Sequence, residues 1–397
     1  MNIFVIPSWF PDRSDYIKGI FIREQLEALS EINKRYRFFV SVSKNFNLPL
    51  KKPHEGIKSI IQYFKEDKIV ISNLNSNLTI IENAVLSWSD KLNGNISKLI
   101  ETRFENFNSI QKEFGKIDVI HAHVTYPGGY IAMKLKEEFG VPFIITEHMG
   151  PFPFERFIRN GKLTNQLSLP LMNSDRIISV SASQASSIQY YTGRKPVIIP
   201  NLVNENIFIP SASKQPKNKI AFLTVTALIE SKGIKELLLS AKSSCSRNAS
   251  LLCVIVGNGI MENYIRKFIV SNGLSEQIIL MTNLSREQVV KQFENCDVFI
   301  LPSLYESFGV SYVEALACGK PVIATDCGGP SGFVNSENGM LVPVGDVNSI
   351  TEAILYMANN YKKFDPISIR KYFIDNFSRE AVCTKIYRLY EEVVNEK

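Results

Sequence analysis

From Pro302 to Pro321 the chain reads PSLYESFGVSYVEALACGKP, with two glutamates, Glu306 and Glu314, set eight residues apart around the pair Phe308 and Gly309. The preceding run DVFILPS (297–303) has the composition of a buried strand. After it, Val310, Val313 and Ala317 recur at helical spacing until Gly319 and Pro321 stop the pattern. Glu306 therefore belongs to a strand-to-helix loop and Glu314 to the second turn of the helix. A helix N-terminus offers unpaired N–H groups and a positive dipole end to a phosphate, and Gly309 lets the backbone approach it closely. Carboxylates accept hydrogen bonds from hydroxyls. A molecule with phosphate at its centre and hydroxylated rings at both ends uses all three features, and a sugar nucleotide is such a molecule. Taken alone, the pair also fits two solvated surface acids.

Other constellations carry less. His121 and His123 alternate at the end of an apolar run, so both can face one side, and with a third ligand they would hold a metal. No partner cluster accompanies them, and no metal is expected. VGNG (256–259) is a fragment of a dinucleotide fingerprint without its third glycine; it reads more simply as a strand-end turn in which Gly257 approaches a nucleotide. No Asp-any-Asp triplet occurs, so a metal-chelated diphosphate is not expected. Ile57, Ile60, Ile61 and Phe64 form a helical apolar stripe beside Lys51, Lys52, Lys58 and Lys65. The pattern favours a surface helix with this stripe turned to the core, with an amphipathic helix lying on an anionic membrane as the alternative.

The elements that must position these residues fall into two halves of similar grammar. In the first, NIFVI (2–6), IDVIHAH (117–123), VPFIITEH (141–148), DRIISVS (175–181) and KPVIIPN (195–201) alternate with segments that can be helical. In the second, KIAFLTVTA (219–227), SLLCVIVGNG (250–259), EQIILMT (276–282), DVFILPS (297–303) and KPVIATD (320–326) repeat the pattern. Both read as parallel sheets with helical crossovers, an α/β class. The expected limits are an N-terminal domain over 1–203, a polar linker over 204–218 and a C-terminal domain over 219–378. A final helix over 379–397 packs on one or both domains through Val382, Ile386, Leu389, Tyr390 and Val393.

A chain of 397 residues with 45% hydrophobic content supports two such cores. Lys and Arg total 45 against 39 Asp and Glu, a formal charge of +6 that is too diffuse to imply nucleic acid and fits anionic small molecules or an anionic membrane. Six cysteines without close paired spacing read as reduced thiols of a cytoplasmic protein. The start MNIFVIPSWFPDRSD carries no basic leader and is interrupted by Pro7 and Pro11, the pattern of a first strand and loop.

ENCDVFILPSLYESFGVSYVEALACGKPVIATDCGGPSGFV (294–334), followed by NGMLVPVGD (338–346), resembles the C-terminal signature of the retaining glycosyltransferases of family 4. Those enzymes have the GT-B fold, two Rossmann-like domains of parallel sheet facing across a cleft. The family hallmark, Glu then seven residues then Glu, is met by Glu306 and Glu314. Further segments match in family order: PSWFPDRSDYIKGIFIREQLEAL, DVIHAHVTYPGG, PFIITEH, SVSASQ, VIIPNLVNENIF, ESKGIKELLLSA and VGNG.

The resemblance implies that Glu306 contacts hydroxyls of the donor sugar and Glu314 the ribose. It sets the backbone of Phe308, Gly309 and Val310 against the diphosphate and gives Lys232 the same diphosphate as a point charge. Gly19, in IKGIF, lets the first loop close near the donor, and His148 sits by the reacting sugar. The implied catalytic set is Glu306, Lys232 and His148, acting on a UDP- or GDP-sugar and a glycan or lipid-linked acceptor in surface polysaccharide or glycoconjugate synthesis, with no metal and no other cofactor. The family's proposed chemistry is same-face attack through an oxocarbenium-like transition state. Two positions depart from the pattern. Ala227 stands near the place of a frequent Arg, and Gly332 near that of a frequent Glu. The alternatives are a non-catalytic sugar-nucleotide-binding subunit, which the missing Arg would suit, and a sugar-nucleotide 2-epimerase of the same fold.

Overall fold

In β1 (Asn2–Pro7) Ile3, Phe4, Val5 and Ile6 are all buried, so both faces of this strand lie within protein. That is the environment of a central parallel strand covered on both sides. The computed structural model describes residues 1–11, 18–49, 53–88, 95–210 and 218–396. The chain divides into two compact units: Met1–Val180 with Ala185–Ile199 and Cys383–Lys397, and Ser181–Gln184 with Pro200–Val382. Part of the expected linker, 211–217, lies outside the described residues.

The N-terminal unit carries β1 and nine further described strands: β2 (Arg37–Leu48), β3 (Ile69–Asn75), β4 (Leu78–Trp88), β5 (Val119–His123), β6 (Phe143–Glu147), β7 (Ile158–Arg159), β8 (Lys162–Leu163), β9 (Arg176–Ser179) and β10 (Val197–Ile198). β7 and β8 make a small separate hairpin, and the others form a sheet in the order β10-β9-β6-β5-β1-β2-β4-β3. Every neighbouring pair in that sheet is parallel except the edge pair β3 and β4. Phe4, Ile120, Phe143 and Ile145 meet Phe107, Ile131 and Leu135 from the crossover helices in one core. The helix Arg379–Asn395 supplies its last turns to this unit: Tyr387 stacks on Tyr36 with ring centroids 4.5 Å apart, and Tyr390 is fully buried.

Strands β2 and β4 were not among the apolar runs read from sequence. Their polar residues face a buried network in which Asn106 donates to Ser41 Oγ and Asn83 Oδ1, both at 2.7 Å, and Arg103 donates to Ser43 at 2.6 Å. Pairing inside the unit satisfies Ser41, Ser43, Asn83 and Asn106, while the buried Arg103 Nε has no hydrogen-bond partner among the described residues.

The expectation of a core-facing stripe near residue 60 is overturned. Lys51 and Lys52 lie outside the described residues, but Pro53–Lys65 is a helix as expected. Its packed side carries Gly56, Ser59 and Tyr63, with the Tyr63 ring 5.8 Å from Phe46 of β2. Ile57, Ile60, Ile61 and Phe64 are left 59%, 37%, 50% and 71% exposed. The small Gly56 and Ser59 let the helix lie close on the sheet by its narrow side, which rotates the apolar stripe outward.

The C-terminal unit has a fully parallel sheet of β11 (Ile220–Val225), β12 (Leu251–Val256), β13 (Ile278–Met281), β14 (Val298–Leu301), β15 (Val322–Thr325) and β16 (Gly339–Val342). The order is β13-β12-β11-β14-β15-β16, with chain reversal between β11 and β14. In open α/β sheets ligands gather beyond the carboxyl ends of strands at such a reversal. The loops after β11, β12 and β14 are therefore where chemistry is expected. No described helix is long and apolar enough to cross a membrane.

Candidate functional site

Beyond the end of β14, residues 302–309 lead into the eight-residue helix Val310–Ala317. Gly309 caps that helix in the left-handed region (φ 92°), a conformation glycine adopts without strain. The aromatic ring of Tyr312 lies so close that a Cβ on Gly309 would stand 2.6 Å from it. Tyr312 is held in turn by donating its hydroxyl to the Leu301 carbonyl. The Phe308 side chain packs against Phe333 and Phe377, so what this residue can offer a ligand is backbone.

Glu306 is 7% exposed, not a solvated surface acid. Its Oε1 accepts from Lys232 Nζ at 2.8 Å and from Ser303 Oγ at 2.8 Å. Its main chain is fixed by an N–H donated to Cys327 at 3.3 Å and a carbonyl that accepts from Gly329 at 2.8 Å. Burial beside this carboxylate pushes the Cys327 thiol up to about 11, so the thiol is neutral at ordinary pH.

Lys232 reaches Glu306 because the short turn Glu230–Lys232 ends at Gly233 in the left-handed region (φ 66°), packed directly on the β14 loop. A Cβ on Gly233 would lie 1.8 Å from the Pro302 carbonyl oxygen, which no side chain tolerates. The contact is reinforced where Leu304 N–H donates to the Ser231 carbonyl at 2.9 Å. Gly257 directly follows β12.

Glu314 is 4% exposed and accepts from Arg286 at 2.7 Å. Arg286 opens the helix Arg286–Asn295, whose Ser285 and Gln288 form a capping box, and its guanidinium lies 4.8 Å from the Phe208 ring centroid. Sequence reasoning missed Arg286. Its detectable signal was the S-R-E-Q capping pattern, which fixes where the helix begins but not what the arginine touches. Ala227 is exposed, and a Cβ on Gly332 would meet open space.

Gly19 and His148 belong to the N-terminal unit. Gly19 directly precedes the helix Ile20–Ile32. One residue into that helix the Phe21 ring lies 4.9 Å from the His148 ring. His148 follows β6 and is buried with His121 and His123 of β5, whose rings stack at 4.3 Å. His123 Nδ1 and His148 Nε2 share a hydrogen bond of 3.0 Å, and His121 is held by Tyr390 at 2.6 Å and Thr146 at 2.8 Å. His123 Nε2 and His148 Nδ1 have no hydrogen-bond partner among the described residues.

Burial lowers the pKa of all three rings, that of His123 to about 3, with the neighbouring imidazoles adding to the effect on His121 and His148. All three are neutral at pH 7. Next to them, buried Glu147 has its pKa raised by burial, against the opposing effect of hydrogen bonds from Thr125, Met149 and His148. Among the described residues no group of His, Cys, Asp and Glu is arranged to hold a metal ion.

Two parallel α/β units, the second with an acid and a lysine paired beyond its strand ends, define a glycosyltransferase of GT-B type. The model of the group 1 glycosyl transferases matches residues 206–376, and that of glycosyltransferase family 4 matches residues 87–206. An uncharacterized glycosyltransferase of Methanocaldococcus jannaschii is 30% identical over 75% of this chain and 81% of its own. The UDP-Gal:alpha-D-GlcNAc-diphosphoundecaprenol alpha-1,3-galactosyltransferase of Escherichia coli is 26% identical over 73% and 79%. Anabaena HepE, solved in complex with UDP and glucose, shares the fold at a TM-score of 0.69 over 99% of this chain and 100% of its own, with 16% identity. The chain belongs to the family 4 type of GT-B glycosyltransferases, and it is an enzyme.

Proposed function

We propose that this glycosyltransferase is a retaining enzyme that moves a hexose or related sugar from a UDP- or GDP-sugar to a glycan or lipid-linked acceptor. The observation that carries the reading is the Lys232–Glu306 pair at 2.8 Å, beside the loop that opens the helix bearing Glu314. One buried acid accepts sugar hydroxyls, a second accepts ribose hydroxyls, and the lysine with the backbone from Phe308 to Val310 holds the diphosphate between them. His148, a neutral imidazole, offers a hydrogen bond to the reacting sugar.

Glu306 is already engaged by Lys232 and Ser303, which suits it to orienting the sugar rather than attacking it. The rate then rests on the leaving group. As the bond between the anomeric carbon and the diphosphate oxygen breaks, its electron pair passes to the diphosphate, and Lys232 offsets the growing charge. The acceptor hydroxyl bonds to the same face of the sugar and gives its proton to the departing phosphate oxygen. The metal-free treatment of the diphosphate belongs to this proposal, as does work in the cytoplasm on surface polysaccharide or glycoconjugate. The free, buried cysteines suit a reducing compartment. The donor and acceptor in the name of the E. coli protein, and the UDP and glucose bound by HepE, are those proteins' own; they support the same classes here.

A thermal-shift panel of UDP-, GDP- and ADP-sugars tests the donor, because a ligand bound by the native state alone raises its stability. One nucleotide class should raise the melting temperature, and nucleoside diphosphate should then be released only with acceptor present. No shift with any of the three sets would sink the donor assignment.

A further inference from the structure

We propose that one side of the Arg103 guanidinium binds a small oxyanion, a phosphate or carboxylate group, inside the N-terminal unit. Arg103 lies about two turns into the helix Ile96–Phe114 and is 4% exposed. Its Nη1 donates to Ser43 Oγ at 2.6 Å and to Thr102 Oγ1 at 3.1 Å. Its Nε is buried without a hydrogen-bond partner, and Nη2 has none among the described residues. Nε–H and the N–H of Nη2 beside it point the same way. Together they form the side of a guanidinium that grips two oxygens of one carboxylate or phosphate. No described side chain supplies those oxygens.

The charge around Arg103 is unbalanced. Burial lowers its pKa to about 10, which leaves it a cation at pH 7. Burying a cation is costly unless an opposite charge lies beside it. Glu101 and Glu105 flank Arg103 in sequence but stand roughly 160° round the helix, and Glu101 is paired with Lys98 at 2.8 Å. Glu82 and the Lys44–Glu66 pair belong to the opposite face of the sheet, since alternate residues of a strand share a face and Ser41, Ser43 and Asn83 are those turned to this helix. What remains beside Arg103 is neutral. Asn106, Ser41 and Asn83 bond to one another at 2.7 Å and so bring no charge to offset it.

The sheet also provides a polar approach. Ser41, Ser43, Asn45 and Asn47 share one face of β2, and burial falls along that row: Ser41 is buried, Ser43 half-buried, and Asn45 and Asn47 are exposed. The row leads from solvent to the guanidinium that Ser43 touches. A metal ion would be repelled there, and an apolar molecule would leave both N–H donors unpaired. An oxyanion supplies the missing charge and the two acceptors together. The same chemistry is offered by a free ion and by the acidic group of a larger molecule.

The test is thermal unfolding of the full chain as phosphate or acetate replaces chloride at constant ionic strength. The parent should gain several degrees in melting temperature at about a hundred times the half-saturating concentration. Arg103→Gln should lose that gain. Arg103→Lys, a point charge without the paired side, should need about tenfold more of the ion. Lys232→Ala should keep the gain, which separates this site from the diphosphate site of the other unit. Glycerol phosphate in the same series distinguishes the source: an equal gain assigns the acidic group of a larger molecule, and no gain assigns a free ion. Equal gains in the parent and Arg103→Gln overturn the proposal, as does a gain that Lys232→Ala alone abolishes or a parent that responds to neither ion. Should Arg103→Gln fold poorly, anomalous scattering from selenate in crystals of the parent decides. A peak beside Nε and Nη2 supports the site, and a map without one there overturns it.

Discussion

Lys232 Nζ and Glu306 Oε1 stand 2.8 Å apart although 74 residues separate them, and Ser303 Oγ completes the contact on the same carboxylate oxygen at 2.8 Å. The pair keeps a buried acid compensated before any ligand arrives, and it holds a cation beside the loop that opens the following helix. Truncating the cation removes the charge that offsets the leaving diphosphate. Lys232→Ala should lower turnover about a hundredfold, the usual loss for one such donor, about 3 kcal/mol in the barrier. Steady-state rates with donor and acceptor would show it. A loss confined to KM would mean that Lys232 acts in ground-state binding alone.

Gly233 holds that lysine in place through backbone geometry. Gly233→Ala adds a Cβ where 1.8 Å separates it from the Pro302 carbonyl oxygen, at φ 66°. The β14 loop and the Lys232 turn must then part. The expected outcome is a fall of about 2 kcal/mol or more in urea-derived stability together with reduced turnover. An unchanged urea midpoint would contradict the tight packing of these two loops.

Arg286 should matter to nucleotide affinity although it was invisible in the motif. It fixes one oxygen of Glu314 at 2.7 Å, leaving the other to accept from a hydroxyl. Arg286→Ala leaves Glu314 buried without this cation and free to change rotamer. Calorimetry with UDP or GDP should show affinity reduced about tenfold. Affinity equal to the parent would remove Arg286 from the account.

Acidification should destabilise the N-terminal unit through its histidines. Their folded pKa values are depressed by burial, that of His123 to about 3, whereas an unfolded histidine titrates near 6.5. Below about 6.5 the unfolded chain takes up protons that the native rings refuse. Their contribution is therefore complete above that pH and declines as pH falls toward the folded values, by up to about 1.4 kcal/mol per pH unit for each ring. Urea midpoints of the parent and His123→Asn, taken from pH 7.5 to 5, should converge as pH falls. Parallel curves would contradict the neutral, buried state of His123.

The strands that carry the site were legible because they are short, apolar runs ending in glycine or proline. DVFILPS and KPVIATD became β14 and β15, and the hallmark acids fell on the loop and helix expected of them. Strands β2 and β4 were not legible, since Ser41, Ser43 and Asn83 look like loop residues until their buried partners Arg103 and Asn106 are known. The pattern Ile57, Ile60, Ile61, Phe64 predicts a helix but carries no information on which side packs. The small residues opposite decided that, and they favoured the less expected side. Arg286 lies 28 residues from Glu314, and such a pairing is written in the tertiary fold rather than in local spacing.

The division of labour between the two buried acids is the centre of the account, and calorimetry of Glu306→Ala and Glu314→Ala with UDP and with GDP, no sugar attached, tests it most directly. A free nucleoside diphosphate has a ribose for Glu314 but no hexose for Glu306, and removing Glu306 also releases Lys232 toward the diphosphate. Glu314→Ala should therefore weaken the preferred nucleotide about tenfold or more, while Glu306→Ala keeps its affinity or raises it slightly. Lost affinity in Glu306→Ala together with parent-like affinity in Glu314→Ala would contradict the assignment.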